Sequence, residues 1–299
     1  MALEQRDFSP RPRDVNLEPI PREGLSIGIY RPRRVVTNDE LCAGDEVLRD
    51  KIVHSVGADR RYVAGPDETA LMMVHQAAVL AGARDLDVVK VSVSHPDGRN
   101  NSLGLVRKLN LDPSKVDYLD YHLACSGVGE GFVDFYLDRD KMKGRRFFIG
   151  SSERYSETTN NKLDDALMCD GSIGATGVYG KDLEVLAAKS IDGPEELSGL
   201  IKMRVDRSLM VAPYKDIYIP YAQYFDQDGF NVRKTMEAMV PDEISNLMEE
   251  ANLKPEEIDY VIPHQGSQLM VRSLDHRLKH QGFAGKVVYD NEEGNWSSG

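Results

Sequence analysis

A thiol within a run of small residues is the first candidate for chemistry in this sequence. Cys125 lies in Ala124-Cys125-Ser126-Gly127, where a predicted strand at 117–121 gives way to a predicted helix. A thiol at a helix N-terminus lies near the positive end of the helix dipole and near free backbone N–H groups, which lower its pKa and favour the thiolate. Cys125 is therefore a candidate nucleophile. The alternative is a buried structural cysteine, because free Cys is among the most buried residue types.

A histidine and an asparagine in the last part of the chain are the other candidates. His264 lies in IPHQGSQLM, in a turn after a predicted strand. Its imidazole can donate an N–H to a carbonyl oxygen or accept a proton from substrate. Asn295, in GNWSSG after the strand-like KVVYD, can aim its amide into the same site as a second donor. The alternatives are a capping or core histidine and a polar tail at a chain end.

Short β-rich runs alternate along the chain with segments in which apolar residues recur at helical spacing. Residues 69–83 are predicted to form a helix, and residues 88–94 (VVKVSVS) a buried strand. Further runs typical of strands lie at 117–121, 145–150, 258–262 and 286–289. This alternation predicts a layered α/β architecture.

Two segments repeat one pattern. Residues 110–122 read NLDPSKVDYLDYH and residues 252–264 read NLKPEEIDYVIPH, so that Asn, Leu, Pro, Asp, Tyr and His recur at one offset. The period is too long for a solenoid repeat. We interpret the repeat as an internal duplication into two α/β halves, with the loop of Cys125 opposite the loop of His264. His122, at the matching position of the first half, is predicted to have a structural role.

The composition excludes several classes of function. A net charge of −12 lacks the Lys and Arg excess that a nucleic-acid binder needs. No apolar run approaches the about 18 residues that span a bilayer, and residues 1–24 read as a polar, Pro-rich extension without a signal-peptide core. Cys42, Cys125 and Cys169 form neither a CxxC pattern nor an even disulfide framework. We therefore expect a cytoplasmic protein in which Cys42 and Cys169 are structural.

The three candidate residues also carry a resemblance. Cys125 in ACSG, His264 in PHQ and Asn295 in GN-x-S have the order and spacing of a Cys-His-Asn triad, and DALMCDGSIGATGVY is similar to an FGDGAGA segment. These motifs resemble the β-ketoacyl-acyl-carrier-protein synthase III family of the thiolase-like superfamily. The resemblance implies an α/β thiolase-like fold of two duplicated halves in a layered α-β-α-β-α arrangement. Residues 25–185 would carry Cys125, and residues 186–299 would carry His264 and Asn295.

The resemblance further implies a reaction. Cys125 would attack an acyl thioester to form an acyl-enzyme, and His264 and Asn295 would stabilise the enolate formed when a malonyl thioester loses CO2. This condensation starts fatty-acid or polyketide chains and implies no metal and no cofactor, with acyl-CoA or acyl carrier protein as substrate. The family also implies a homodimer, with no nucleic-acid or membrane partner. Two alternatives stay open, namely acyl transfer to a hydroxyl or amine of a secondary metabolite and an inert homologue that acts as a partner subunit.

The sequence departs from the family pattern in three places. Lys51 and Ser55 stand where the family carries the Trp and Arg that hold the adenine of coenzyme A, which favours a carrier-protein-bound donor. The family continues beyond the Asn turn with a strand and a GFGAG loop, so we expect a truncated sequence in which the C-terminal part is missing. Trp296 and Ser267 alter the family's GNTS and HQAN spellings and are expected to reshape the pocket.

A set of basic residues is predicted to dock an acidic acyl carrier protein and its phosphopantetheine. Lys234 falls where the resemblance places a docking lysine. The alternative for each residue is a solvated helix face. The predicted docking residues are Arg233, Lys234, Arg272, Arg277 and Lys279.

Overall fold

The structure is a computed structural model that describes residues 24–94, 100–157, 162–191, 201–206 and 222–288. Strands and helices alternate as the apolar periodicities predict. The strands are β1 (Ser26–Tyr30), β2 (Arg34–Thr37), β3 (Arg60–Val63), β4 (Val88–Ser92), β5 (Asp117–Tyr121), β6 (Arg146–Glu153), β7 (Gly171–Val178), β8 (Ile201–Asp206), β9 (Ala222–Gln227), β10 (Tyr260–Val261) and β11 (Lys286–Val287). The helices are α1 (Asn38–Cys42), α2 (Glu46–Lys51), α3 (Ala70–Ala81), α4 (Asn101–Lys108), α5 (Gly127–Leu137), α6 (Arg139–Met142), α7 (Lys162–Leu167), α8 (Gly229–Glu250) and α9 (Gln268–His280).

The first half is built on a five-stranded mixed sheet with the order β1-β7-β6-β4-β5. The strands β4, β5 and β6 run parallel, whereas β7 is antiparallel to β6 and β1. Helix α3 lies so close to one face that a Cβ at Gly28 would stand 2.0 Å from the carbonyl oxygen of Ala77, which only glycine permits. Helix α5 covers the other face, where Phe135 packs edge-on against Phe147. The sheet is therefore held between helices on both faces.

The second half pairs β10 with β11 in parallel, with α9 connecting them, and β8 with β9 in antiparallel. Leu274, Leu278 and Phe283 form a buried cluster against Val240 and Ile244 of α8. Among the described residues, no helix has both the length and the apolar character needed to cross a membrane. The boundary between residues 185 and 186 and the extension before residue 25 stay predictions.

The repeated NL-x-P pattern marks one kind of helix-to-strand connection. Asn110 and Asn252 have left-handed φ angles of 56° and 54°. In both copies the next backbone N–H, of Leu111 or Leu253, donates to the carbonyl five residues earlier, at 3.0 and 2.8 Å. These hydrogen bonds are those of a Schellman helix terminus. The repeated sequence is therefore the signature of the C-terminal ends of α4 and α8.

The strand order corrects the way in which the sequence repeat matched the strands of one half to those of the other. Strands β10 and β11 are parallel neighbours joined through α9, as β4 and β5 are joined through α4. Strands β5 and β6, joined through α5, have β4 between them. The counterpart of β10 is therefore β4, and the expectation that the loop of His264 corresponds to the loop of Cys125 is wrong.

Candidate active site

Cys125 lies in the short 3-10 turn Ala124–Ser126 that joins β5 to α5. Its side chain is exposed, whereas Cys42 and Cys169 are buried, as expected of structural cysteines. Ser126 occupies the N-cap position of α5 without making a capping hydrogen bond, and its hydroxyl donates to the carbonyl of Leu123 at 2.9 Å. The first N–H groups of α5 are thus left uncapped by Ser126 and can serve a negatively charged oxygen beside Cys125.

Glycine at position 127 brings the start of α5 directly onto the sheet. A Cβ there would lie 1.9 Å from Oγ of Ser92 on β4, whereas a Cβ at Gly129 would meet nothing within 4 Å. One turn later, a Cβ at Gly131 would lie 2.5 Å from Cδ1 of Ile149. Gly127 and Gly131 therefore fix how closely the helix that begins beside Cys125 packs on β4 and β6.

A buried polar network ties the ends of β4 and β6 together. The carboxylate of Glu153, which is 1% exposed, accepts hydrogen bonds from the backbone N–H and the hydroxyl of Ser94, both at 2.9 Å. The hydroxyl of Tyr155 donates to Oγ of Ser94 at 2.7 Å. The sequence reasoning missed this network. Its signal was the placement of Ser and Glu at the ends of the two apolar runs VVKVSVS and RFFIGSSE.

Two polar side chains fix the end of β5 before the Cys125 turn. Nδ1 of His122 lies 3.1 Å from the carbonyl oxygen of Val93, and a carbonyl only accepts, so this nitrogen carries the hydrogen. Asp120 accepts the N–H groups of Asn101 and Ser102 at 2.9 and 2.8 Å, and its burial raises the pKa of the carboxyl. The hydrogen bond of His122 agrees with its predicted structural role.

Asp170 is a fully buried carboxylate immediately before β7. Its carboxylate accepts the N–H of Ala64 at 2.7 Å and both the N–H and the hydroxyl of Ser156, at 2.8 and 2.5 Å. Burial raises the pKa of Asp170 to about 6, although these hydrogen bonds act in the opposite direction. The carboxylate therefore joins the start of β7 to the segments that follow β3 and β6.

His264 follows β10 and precedes α9, in a turn that its neighbours hold in place. Gln265 donates through Nε2 to the carbonyls of Pro263 and Val288, at 2.9 and 3.2 Å. Ser267 caps α9 by accepting the N–H of Met270. Gln265 therefore ties the turn of the half-buried His264 to the end of β11, and thus to the segment that leads to Asn295.

An apolar cavity of about 270 Å³ opens beside His264. It lies between α8 and α9, over β10. In the corresponding place of the first half, between α3 and α4 over β4, Phe148 of β6 completes the core. The lining includes Val240, Ile244, Val261, Met270 and Leu274. Such a lining can hold a hydrocarbon chain next to the imidazole.

The predicted docking residues divide into paired and unpaired side chains. Arg233 forms an ion pair with Glu237, and Lys279 forms one with Asp275. Lys234, Arg272 and Arg277 are exposed and form no ion pair within the part of the chain that the structure describes. Because helical residues advance about 100° each, Arg272 and Arg277 lie about 140° apart around α9. A common face for all of them stays a prediction.

Two further predicted positions, Lys51 and Ser55, lie within the described residues. Ser55 lies in a single π-helical turn, Ile52–Val56, which packs against α9, and Lys51 ends the preceding helix α2. Asn295 and Trp296 fall outside the described residues. Within the described ranges, no group of three or more His, Cys, Asp or Glu side chains is placed to hold a metal ion.

No family model matches the chain, but comparison with curated proteins gives relatives that cover most of it. A beta-ketoacyl-[acyl-carrier-protein] synthase III of Bradyrhizobium sp. is 28% identical over 269 residues, which cover 85% of this chain and 80% of the relative. The protein of the same name from Clostridium beijerinckii is 23% identical over 271 residues, with coverages of 85% and 80%.

Solved structures show the same fold. The crystal structure of the priming beta-ketosynthase from the R1128 polyketide biosynthetic pathway matches with a TM-score of 0.73 at 24% identity, covering 93% of this chain and 86% of that one. The thiolase-like fold that the sequence predicted is therefore confirmed. The chain is therefore similar, over 85% of its length, to a protein named beta-ketoacyl-[acyl-carrier-protein] synthase III, and it shares the fold of a solved priming beta-ketosynthase.

Proposed function

We propose that this protein is a ketosynthase-III-type acyltransferase that starts fatty-acid or polyketide chains. In the first step the thiolate of Cys125 attacks the carbonyl of an acyl thioester and expels the donor thiol, which leaves an acyl-enzyme. In the second step a malonyl thioester loses CO2, and the resulting carbanion attacks the acyl carbonyl. The bond to the sulfur of Cys125 then breaks and releases a β-ketoacyl thioester.

The exposed thiol of Cys125 at the uncapped start of α5 is the observation that carries this proposal. The positive end of the helix dipole favours the thiolate over the thiol. The N–H groups of the first turn can donate to the oxygen that becomes negative during attack. Oriented N–H donors of this kind lower the activation barrier because the oxygen becomes negatively charged in the transition state.

His264 and Asn295 are proposed to stabilise the enolate that forms when CO2 leaves. The half-buried imidazole lies beside the apolar cavity, which we assign to an acyl chain or to the apolar part of the carrier arm. We also propose that Lys234, Arg272 and Arg277 attract the acidic carrier protein, since unpaired cations on an acidic protein steer such a partner. The proposed chemistry needs no metal or redox cofactor, and we propose a cytoplasmic homodimer.

Lys51 and Ser55 favour a second candidate within the same enzyme class. They stand where the resemblance places the pair that holds the adenine of coenzyme A, and Trp296 changes the predicted pocket wall, so the entrance and the pocket both differ from those of the family. The acyl group would then pass from Cys125 to a hydroxyl or an amine. A partner subunit without activity is the candidate from outside the enzyme class.

Release of CO2 from malonyl-carrier protein tests the proposal. Acylated protein is expected to release CO2 and yield a lengthened β-ketoacyl product, and His264→Ala is expected to slow this step by about 10²–10³-fold. His280→Ala, on the exposed last turn of α9, serves as the matched control. An ester or amide product without CO2 would support the second candidate instead. Absence of an acyl adduct on the wild type with any donor would favour the partner subunit.

A further inference from the structure

A polar cavity of about 280 Å³ lies at the edge of the first sheet, under the C-terminal end of α3. The register of the strands places its walls on one face, because Ser26 pairs with Thr176 on β7 and Arg146 pairs with Val178, two residues further along β7. Gly28, which shares this face with Ser26, packs against α3. The cavity is therefore enclosed by the ends of three neighbouring strands and one helix.

Three cations line this cavity, namely Arg84, Arg146 and Lys181. Within the described ranges, none of their side chains forms an ion pair or a hydrogen bond. Asp182 is the acidic residue of the lining, and one of its oxygens already accepts the N–H of Val178 at 2.8 Å. The cavity thus carries an excess of two positive charges in a chain whose net charge is −12. Unpaired cations gathered in this way attract an anion.

Ser26 provides an independent observation in the same lining. Its side chain is buried, with 5% of the residue exposed, and its hydroxyl has no hydrogen-bond partner among the described residues. Buried hydroxyls normally have a partner, and leaving one unsatisfied is costly. Rotation about χ1 lets the hydroxyl donate to a ligand in the cavity.

The cavity is remote from Cys125. Arg146 begins β6, whereas Glu153 ends it, and the polar network beside the Cys125 turn lies at the Glu153 end. Eight residues of extended strand separate the two ends by about 20 Å. The parallel strands β4 and β5 point in the same direction as β6. A ligand bound among Arg84, Arg146 and Lys181 therefore lies at the opposite end of the parallel strands from the nucleophile.

We propose that this cavity is a binding site for a phosphate-bearing small molecule, held by Arg84, Arg146, Lys181 and the hydroxyl of Ser26. Arginine suits this task because its planar guanidinium donates two parallel hydrogen bonds to phosphate oxygens. The volume exceeds that of a single phosphate ion, so the site has room for the group that carries the phosphate. The competing explanation is that the cations only complement the negative C-terminal end of α3.

Calorimetric titration of the full chain with inorganic phosphate, pyrophosphate and adenosine monophosphate tests the site at constant ionic strength. One equivalent of at least one probe is expected to bind, and Arg146→Gln and Ser26→Ala are each expected to weaken it by about tenfold or more. Lys115→Gln, which removes one charge at a side chain that is 80% exposed, is the matched control and should bind as the wild type does. Tighter binding of adenosine monophosphate than of inorganic phosphate would identify a phosphate monoester as the ligand; the reverse would identify free phosphate.

The proposal fails if no probe binds, or if Lys115→Gln weakens binding as much as Arg146→Gln does. The first result would leave the cations as partners of the α3 terminus. The second result would show that binding depends on the overall charge of the surface and not on this cavity. Because Arg146 stands at a strand end and its replacement can disturb folding, Lys181→Gln at the exposed rim gives a second variant, and it too must weaken binding.

Discussion

Glu153 and Ser94 are joined by two hydrogen bonds, since the carboxylate at the end of β6 accepts both the N–H and the hydroxyl of Ser94 after β4 at 2.9 Å. Replacement of Glu153 by Ala leaves both donors of the half-buried Ser94 without this acceptor. We expect Glu153→Ala to lower the free energy of unfolding by about 3 kcal/mol. Urea unfolding measures this loss.

The variant Glu153→Gln separates the charge of the carboxylate from its ability to accept a hydrogen bond. Gln keeps the length of the side chain and one accepting oxygen, so we expect a loss of stability well below that of Glu153→Ala. Equal losses in the two variants would show that the carboxylate charge, and not the pair of accepted hydrogen bonds, determines the effect.

Gly127 and Gly129 offer a matched pair at the start of α5. A Cβ at Gly127 would stand 1.9 Å from Oγ of Ser92, so Gly127→Ala is expected to cost about 1–3 kcal/mol and to slow thiol reactions of Cys125. A Cβ at Gly129 meets nothing within 4 Å, so Gly129→Ala is expected to be neutral or to stabilise the helix by up to about 1 kcal/mol. Thermal unfolding and alkylation rates measure both effects. Equal behaviour of the two variants would contradict the close packing.

The raised pKa of Asp170 predicts a pH dependence of stability. Its pKa of about 6 in the folded chain lies above the ordinary value of 3.8, so the folded state keeps a proton that the unfolded state has already lost. The stability due to this group is complete below pH 4 and is lost as the pH rises through about 6, by roughly 3 kcal/mol in all.

Asp170→Asn isolates that dependence. The difference in unfolding free energy between the wild type and Asp170→Asn is expected to change across this window, with the wild type losing stability as the pH rises. Asp140→Asn, on the exposed side of α6, is the control and should follow the wild type. Parallel profiles for the wild type and Asp170→Asn would contradict the raised pKa.

The burial of the three cysteines predicts selective alkylation. Cys125 is exposed, whereas Cys42 and Cys169 are buried, so iodoacetamide should add one equivalent to the folded protein and three in denaturant. Intact-mass spectra measure the count, and Cys125→Ser should add none while folded. Rapid modification of Cys42 or Cys169 in the native protein would contradict the structure.

Much of the fold followed from local patterns in the sequence. Strand β5 has the bounds that the apolar pattern predicted, and α3 begins after Thr69, whose hydroxyl accepts the N–H of Met72. Such features depend on neighbours in sequence. The order of the strands in a sheet does not depend on such neighbours. For this reason the NL-x-P repeat wrongly suggested that β10 is the counterpart of β5. A helix terminus has the same sequence wherever the next strand lies in the sheet.

The site could be predicted in part for the same reason. Cys125 was found because a strand, small residues and a helix follow one another in sequence. The network of Ser94, Glu153 and Tyr155 was missed because its members become neighbours only when β4 and β6 pair. The cavity beside His264 depends on α8, β10 and α9 together, so its lining could not be predicted from any one segment.

Acylation of Cys125 is the most direct test of the proposed function. The full chain is mixed with acyl-CoA and with acyl-carrier protein, and intact mass is recorded with time. We expect one acyl adduct on the wild type and none on Cys125→Ala, while the exposed control His280→Ala is acylated as the wild type is. An adduct that persists in Cys125→Ala, or no adduct from either donor, would contradict the assignment of Cys125 as the nucleophile.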